Sequence, residues 1–171
     1  EEKNAAILRM ADAIVRETDA ILAANEADVQ AAKGTISDVM LDRLRLTERR
    51  VADIVAAVRQ VIALPDPVGR VTKMETRPNG LQIGRKTVPL GVAAIIYEAR
   101  PNVTVDAAAL CLKSGNACIL RGGREAIRSN RCAAALMREA LASAGLPEDC
   151  VSLVQDTSHE TANELMHLNR Y

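Results

Sequence analysis

The stretch from Val88 to Asn130, VPLGVAAIIYEARPNVTVDAAALCLKSGNACILRGGREAIRSN, changes character so often that few folds can hold it. Val92 to Tyr97 is a short, nearly unbroken apolar run, the pattern of a parallel strand covered on both faces. Glu98, Arg100, Pro101 and Asn102 follow at its carboxyl end, where open α/β sheets bind ligands. Pro101 forbids further strand pairing, Asn102 or Thr104 is placed to cap a helix, Ala107 to Leu112 continue it, and Gly115 supplies a left-handed stop. Ala117 to Leu120 reads as the next strand, closing on Arg121, Gly122, Gly123 and Arg124. The order then repeats. Ile127, Ala134, Met137, Leu141 and Ala144 share a helical face, Gly145-Leu146-Pro147 ends that helix, Val151 to Val154 is a third strand and Ser158 to Leu168 a third helix. Right-handed crossovers place the strands in one parallel sheet, with a further strand expected after Tyr171. The whole reads as the opening of a nucleotide-binding α/β unit.

Upstream of Leu90 the pattern differs. Ile7, Met10, Ala11, Ile14, Val15, Ile21 and Leu22 fall at helical spacing, as do Val51, Ile54, Val55, Val58 and Ile62. Gly34 punctuates the first helical region, Thr35 or Ser37 is placed to cap a short helix through Leu44, and Thr47 caps the long one. Leu64 to Gly69, LPDPVG, is a rigid linker. Val71 to Arg77 and Leu81 to Val88 flank Pro78-Asn79-Gly80, a hairpin signal because Asn and Gly both tolerate positive φ. The expected fold class is α/β: helices over residues 1–64, a linker and β-hairpin over 65–90, and a partial parallel-sheet, Rossmann-like dinucleotide-binding domain over 91–171. A lone hairpin is marginally stable, so this one is expected to pair with strands from elsewhere.

Composition narrows the function classes. Basic and acidic residues number 22 each, so no overall field draws nucleic acid or an anionic membrane. With no Phe, no Trp and only 2 Tyr, base-stacking platforms are missing and the core must be aliphatic. No apolar run approaches the ~20 residues that span a bilayer, and EEKNAAILRM resembles no signal or transit peptide. The expected setting is soluble and cytoplasmic, with a small-molecule substrate and neither nucleic acid nor membrane as partner. Neither G-x-G-x-x-G nor G-x-x-x-x-G-K-[ST] occurs, so any cofactor is bound by another geometry. His159-Glu160-Thr161-Ala162-Asn163 has Asn where a zinc-protease helix needs its second His, and no metal site is expected. Cys111, Cys118, Cys132 and Cys150 show no C-x-x-C spacing and read as reduced core residues, Cys111 with its pKa raised by burial.

RPNGLQIGRKTVPLGVAAIIYEARPNVTVDAAALCLKSGNACILRGGREAIRSN closely resembles the γ-glutamyl phosphate reductases of proline biosynthesis, a divergent branch of the aldehyde dehydrogenase superfamily; ILAANEADVQAAK and MLDRLRLT fit the same family. The resemblance implies NADPH-dependent reduction of L-glutamyl 5-phosphate to L-glutamate 5-semialdehyde and phosphate by a complete enzyme roughly two to three times this length. It implies too that the hairpin joins an oligomerisation sheet, so a homo-oligomer is expected, with glutamate 5-kinase as a possible protein partner. The family's nucleophilic Cys lies in a later segment, and this chain alone is expected to be inactive. Asn102 takes the place of the superfamily's oxyanion donor; from spacing alone it is equally a helix cap. Arg100 is placed either to bind the acyl phosphate or a substrate carboxylate, or to pair with Glu98. Tyr97, Arg121, Gly122, Gly123 and Arg124 are expected on the cofactor side, Arg121 foremost, because Arg at the end of the second strand accommodates a 2′-phosphate. Arg124 replaces the small Ser often found in bacterial members, and both arginines could otherwise form a solvated basic turn. Another acylating aldehyde dehydrogenase, or a non-catalytic nucleotide-binding or assembly module, are the alternative readings.

Overall fold

The computed structural model describes residues 1–168. Its elements are α1 (Glu2–Arg16), α2 (Thr18–Ala32), α3 (Asp38–Leu44), α4 (Glu48–Ala63), β1 (Val71–Thr76), β2 (Gln82–Lys86), β3 (Val92–Ile96), α5 (Pro101–Lys113), β4 (Ala117–Arg121), α6 (Ile127–Ser143), β5 (Val151–Leu153) and α7 (His159–His167). The first helical region breaks at Glu17, and Thr18 Oγ1 turns back to donate to the Ile14 and Val15 carbonyls at 3.1 and 2.9 Å. Ser37 and Thr47 cap α3 and α4, accepting from the Met40 and Arg50 amides. Each such cap is worth about 1 kcal/mol.

The hairpin β1–β2 is antiparallel, but its turn departs from the expected Asn-Gly geometry. Gly80 alone takes positive φ there (84°), while Asn79 does not. Gly80 N–H donates to the Arg77 carbonyl at 2.9 Å and Arg77 N–H to that of Leu81 at 2.8 Å. Those bonds define a three-residue loop closed by a glycine bulge.

Sheet order is β3-β4-β5, all parallel, with Ile96 opposite Arg121. Because the order is monotonic, right-handed crossovers send α5 and α6 to the same face. Ala93 and Ile95 pack towards that face. Val92 (58% exposed) and Ile96 (43%) point the other way, so the expectation of a strand covered on both faces is not met among the described residues. An apolar run reports that both faces are fit for burial, not that both are covered.

One hydrophobic core joins the helical region to the sheet. Ile7, Met10 and Ile14 of α1, Val55 and Val58 of α4, Val105 and Leu112 of α5, Leu120 of β4, and Met137 and Leu141 of α6 belong to a single buried cluster. At about 1.5–3 kcal/mol for each fully buried aliphatic side chain, this shared packing fixes α4 against α5. The buried cation of Lys113 adds to it: its Nζ donates to Asn4 Oδ1 at 2.8 Å and to the Ile62 carbonyl at 2.9 Å. The groove between α3, α4 and the start of α5 is therefore a fixed feature.

Candidate functional site

The chain turns sharply as it leaves β3. Arg100 N–H donates to the Glu98 carbonyl at 2.8 Å, and Pro101 opens α5. Neither Asn102 nor Thr104 caps the helix, contrary to the sequence expectation: Arg100 occupies the cap without a side-chain bond, because Pro, lacking an N–H and fixed in φ, takes the first helical position. Asn102 thus lies inside the first turn, and its Nδ2 donates to Asp106 Oδ2 at 3.1 Å. An ionised carboxylate only accepts, so the nitrogen end of the amide must face Asp106, and its second hydrogen has no partner among the described residues. Burial pushes the Asp106 carboxyl above its ordinary pKa, and the Asn102 bond partly offsets this.

Asn102 and Arg100 share a cleft of about 480 Å³ with Asp106 on one wall. The helical region forms the other, through Asp42, Arg43, Arg45, Arg50 and Asp53. Of the residues lining this cleft, the sequence points to Arg100 and Asn102 but not to Arg43 or Arg45. Nothing in the spacing of MLDRLRLT marks them out, since packing of α4 on α5 is what brings them to the cleft. Arg100 and Glu98 form no ion pair among the described residues, although the sequence left that pairing open.

The residues expected on the cofactor side gather at the end of β4. Arg121 is 9% exposed, and its Nη2 donates to the Thr157 and Ser158 carbonyls at 2.6 and 2.9 Å. Its Nε is buried without an acceptor, as is Asn130 Nδ2. Arg124 reaches outward, its side chain 79% exposed and paired with Glu125 at 3.2 Å. A Cβ on Gly122 would overlap Asn130 Nδ2 and press on the Tyr97 ring, and one on Gly123 would stand 3.2 Å from the Ala99 amide. The two glycines therefore let β4 pass close to the end of β3. Tyr97 Oη lies 2.7 Å from Thr104 Oγ1, which donates to Asn130 Oδ1 at 2.8 Å. Burial pushes the Tyr97 phenol to about 12, keeping it neutral at physiological pH.

Cys111 and Cys118 are both buried. Their mutual interaction, then burial, pushes the Cys118 thiol up. Burial alone is expected from the sequence to raise Cys111, but the interaction with Cys118 opposes burial and lowers it. Neither thiol lines the arginine cleft. Cys132 and Cys150 are half-buried, less enclosed than core residues. No helix among the described residues is long and apolar enough to cross a membrane.

The profile of the aldehyde dehydrogenase family matches residues 2–170. The chain is 56% identical to the gamma-glutamyl phosphate reductase of Clostridium perfringens, over 99% of its own length and 41% of that protein's. Its fold matches the crystal structure of gamma-glutamyl phosphate reductase from Thermotoga maritima with a TM-score of 0.96 at 40% identity, covering 99% of this chain and 41% of that one. The Saccharomyces cerevisiae gamma-glutamyl phosphate reductase matches with a TM-score of 0.87 at 32% identity, covering 92% and 42%. The chain spans about two fifths of the length of these relatives.

Proposed function

The chain belongs to the aldehyde dehydrogenase family, and from that premise we propose that the complete enzyme reduces L-glutamyl 5-phosphate to L-glutamate 5-semialdehyde and phosphate with NADPH. The substrate class comes from the name its relatives carry. The observation that carries the proposal is the union of Asn102, with one amide hydrogen unengaged, and arginine side chains in one cleft at the carboxyl end of β3. An acyl phosphate needs a cation for its phosphoryl oxygens and a donor for the oxygen of the acyl group. Arg100 supplies the first and Asn102 the second.

Asp106 holds the Asn102 amide in one orientation, so its remaining N–H is fixed before charge develops on the acyl oxygen. The uncapped amino terminus of α5 lies in the same place and adds a partial positive charge. When a thiolate from the later part of the enzyme adds to the acyl carbon, a C–S bond forms, negative charge moves to the acyl oxygen, and Asn102 donates to it. The C–O bond to phosphate then breaks, and the guanidinium holds the departing dianion. Bound NADPH supplies the hydride that releases the aldehyde.

The donor set at the end of β4 suits the adenosine end of that cofactor. The exposed guanidinium of Arg124, paired with Glu125, can turn to a 2′-phosphate, while Arg121 holds the loop before α7. The Gly122–Gly123 turn lies against the Tyr97 ring. The exposed edge strand β3 is the first strand of a 3-2-1 half-sheet, and dinucleotides bind beyond the carboxyl end of such a strand where the order reverses. Homo-oligomer formation is supported by the exposed apolar side chains of the hairpin, among them Val71, Met74 and Ile83. A cytoplasmic setting accords with a nicotinamide-linked reaction and free thiols.

The test is the reverse reaction of the complete enzyme with glutamate 5-semialdehyde, NADP⁺ and inorganic phosphate. NADPH should appear only when phosphate is present. Formation that needs coenzyme A instead would assign the protein to another acylating activity, and no formation under any of these conditions would favour a non-catalytic module.

A further inference from the structure

Two arginines outside the nucleotide-binding unit face this cleft, and no fold requirement explains their side chains. Arg43 lies in the last turn of α3 and Arg45 follows its end. Leu44, between them, is fully buried. The buried Asn25 brackets Arg45, donating to the Leu44 carbonyl at 2.9 Å and accepting from Leu46 N–H at 2.6 Å. Arg50 Nη1 donates to the Arg45 carbonyl at 2.7 Å. The backbone that carries Arg43 and Arg45 is thus held from both sides while both side chains stay exposed.

Charge in the cleft decides what they serve. Four guanidiniums, Arg43, Arg45, Arg50 and Arg100, face Asp42, Asp53 and Asp106. Arg50 and Asp42 neutralise each other in an ion pair of 3.0 Å, the only one between lining residues among those described. Three guanidiniums then remain against Asp53 and Asp106, a surplus of positive charge suited to a phosphoryl group. Arg43 also lines an adjoining recess with Arg100 and Glu98, which places these two cations side by side at the end of β3.

We infer that Arg43 and Arg45, from the helical region, complete with Arg100 the cradle that binds the phosphoryl group of the acyl phosphate. The inference rests on the reductase reading above and adds the residues that recognise its leaving group. A phosphoryl group is attached to the same carbon that presents its oxygen to Asn102, so it is the anionic end of the substrate that lies nearest Arg100. The planar fork of Arg suits two phosphoryl oxygens at once.

The complete enzyme tests this in the reverse direction, with inorganic phosphate as the varied substrate. Arg43→Ala and Arg45→Ala should each raise the KM for phosphate about tenfold or more, the effect of losing one charge-assisted contact. The KM values for glutamate semialdehyde and NADP⁺ should not move. Because an Ala variant could fail to fold, Arg43→Lys and Arg43→Gln are compared as well: the first should keep most of the phosphate affinity and the second should lose it. Inorganic phosphate should also raise the melting temperature of the wild type more than that of Arg43→Gln. An active, phosphate-dependent wild type whose variants keep the same phosphate KM would overturn the inference and leave the reductase reading standing. So would a rise in the semialdehyde KM alone, which would assign the arginines to the substrate carboxylate. A wild type without phosphate-dependent turnover would overturn the reductase reading itself, and this inference with it.

Discussion

Asn102 and Asp106 show how one hydrogen bond can prepare a donor. The bond occupies one amide hydrogen and leaves the other. Asp106 does this at an energetic disadvantage, because burial raises its pKa above the unfolded value. A raised carboxyl pKa makes the native state bind the proton more tightly. Its contribution to stability is full below the unfolded pKa, about 3.9, and is lost as pH rises through the higher folded value. Asp106→Asn removes the buried charge and can still accept from Asn102. Its melting temperature should therefore exceed that of the wild type at pH 8, with the difference shrinking towards pH 4; a lower melting temperature at pH 8 would contradict the desolvation argument. The arginines at the end of β4 divide in the same way. Arg124→Ala should lower the preference for NADPH over NADH about tenfold without loss of stability, the loss of one charged contact. Arg121→Ala frees the Thr157 and Ser158 carbonyls and should lower the melting temperature as well. Equal losses of NADPH and NADH affinity in Arg124→Ala would argue against its contact with the 2′-phosphate.

Between elements, buried polar groups do what the periodicity of apolar residues does not reveal. Asp28 on α2 has a fully buried side chain and accepts from Ser129 N–H at 2.8 Å, Ser129 Oγ at 2.7 Å and the Arg128 guanidinium at 3.3 Å, tying α2 to the first turn of α6. Removing the carboxylate leaves the buried Ser129 N–H and hydroxyl unsatisfied, at about 1–3 kcal/mol each, while the Arg128 side chain, 54% exposed, stays hydrated. Asp28→Ala should accordingly show a large fall in urea midpoint, and a midpoint close to wild type would mean that water replaces the carboxylate. From the sequence, Asp28 is one charge among many. The helices, their Ser37 and Thr47 caps and the parallel strands were legible because each depends on neighbours a few residues away. Three features were not: the open face of β3, the glycine-bulge turn, and the position of Asn102 inside α5. The first depends on what lies across the sheet, the second on strand register, and the third on Pro101 claiming the first helical position. Arg100 and Asn102 stood out because they follow a strand, whereas Arg43 and Arg45 join them only through the docking of α4 on α5.

At the scale of the whole chain, the helices and the sheet unit share a core, and the cleft is built from both. Several apolar side chains are left open, among them Val88 at 74% and Leu90 at 88% exposure, and Val92. Exposed apolar surface favours association. The cysteines are no better placed for chemistry: Cys111 and Cys118 are buried, and none of the four lines the arginine cleft. A covalent acyl transfer needs a thiolate that substrate can reach. The purified 171-residue chain, assayed with glutamate semialdehyde, phosphate and NADP⁺, should show no turnover above a buffer blank. Turnover lost on mutating one of its cysteines would identify a nucleophile within it. The proposal that the cleft at the end of β3 holds the reacting acyl group is tested most directly by kcat of Asn102→Ala in the complete enzyme. It should fall about 10²- to 10³-fold with little change in KM, as expected for a donor that acts on the developing oxyanion; a folded Asn102→Ala enzyme with near-normal kcat would contradict it.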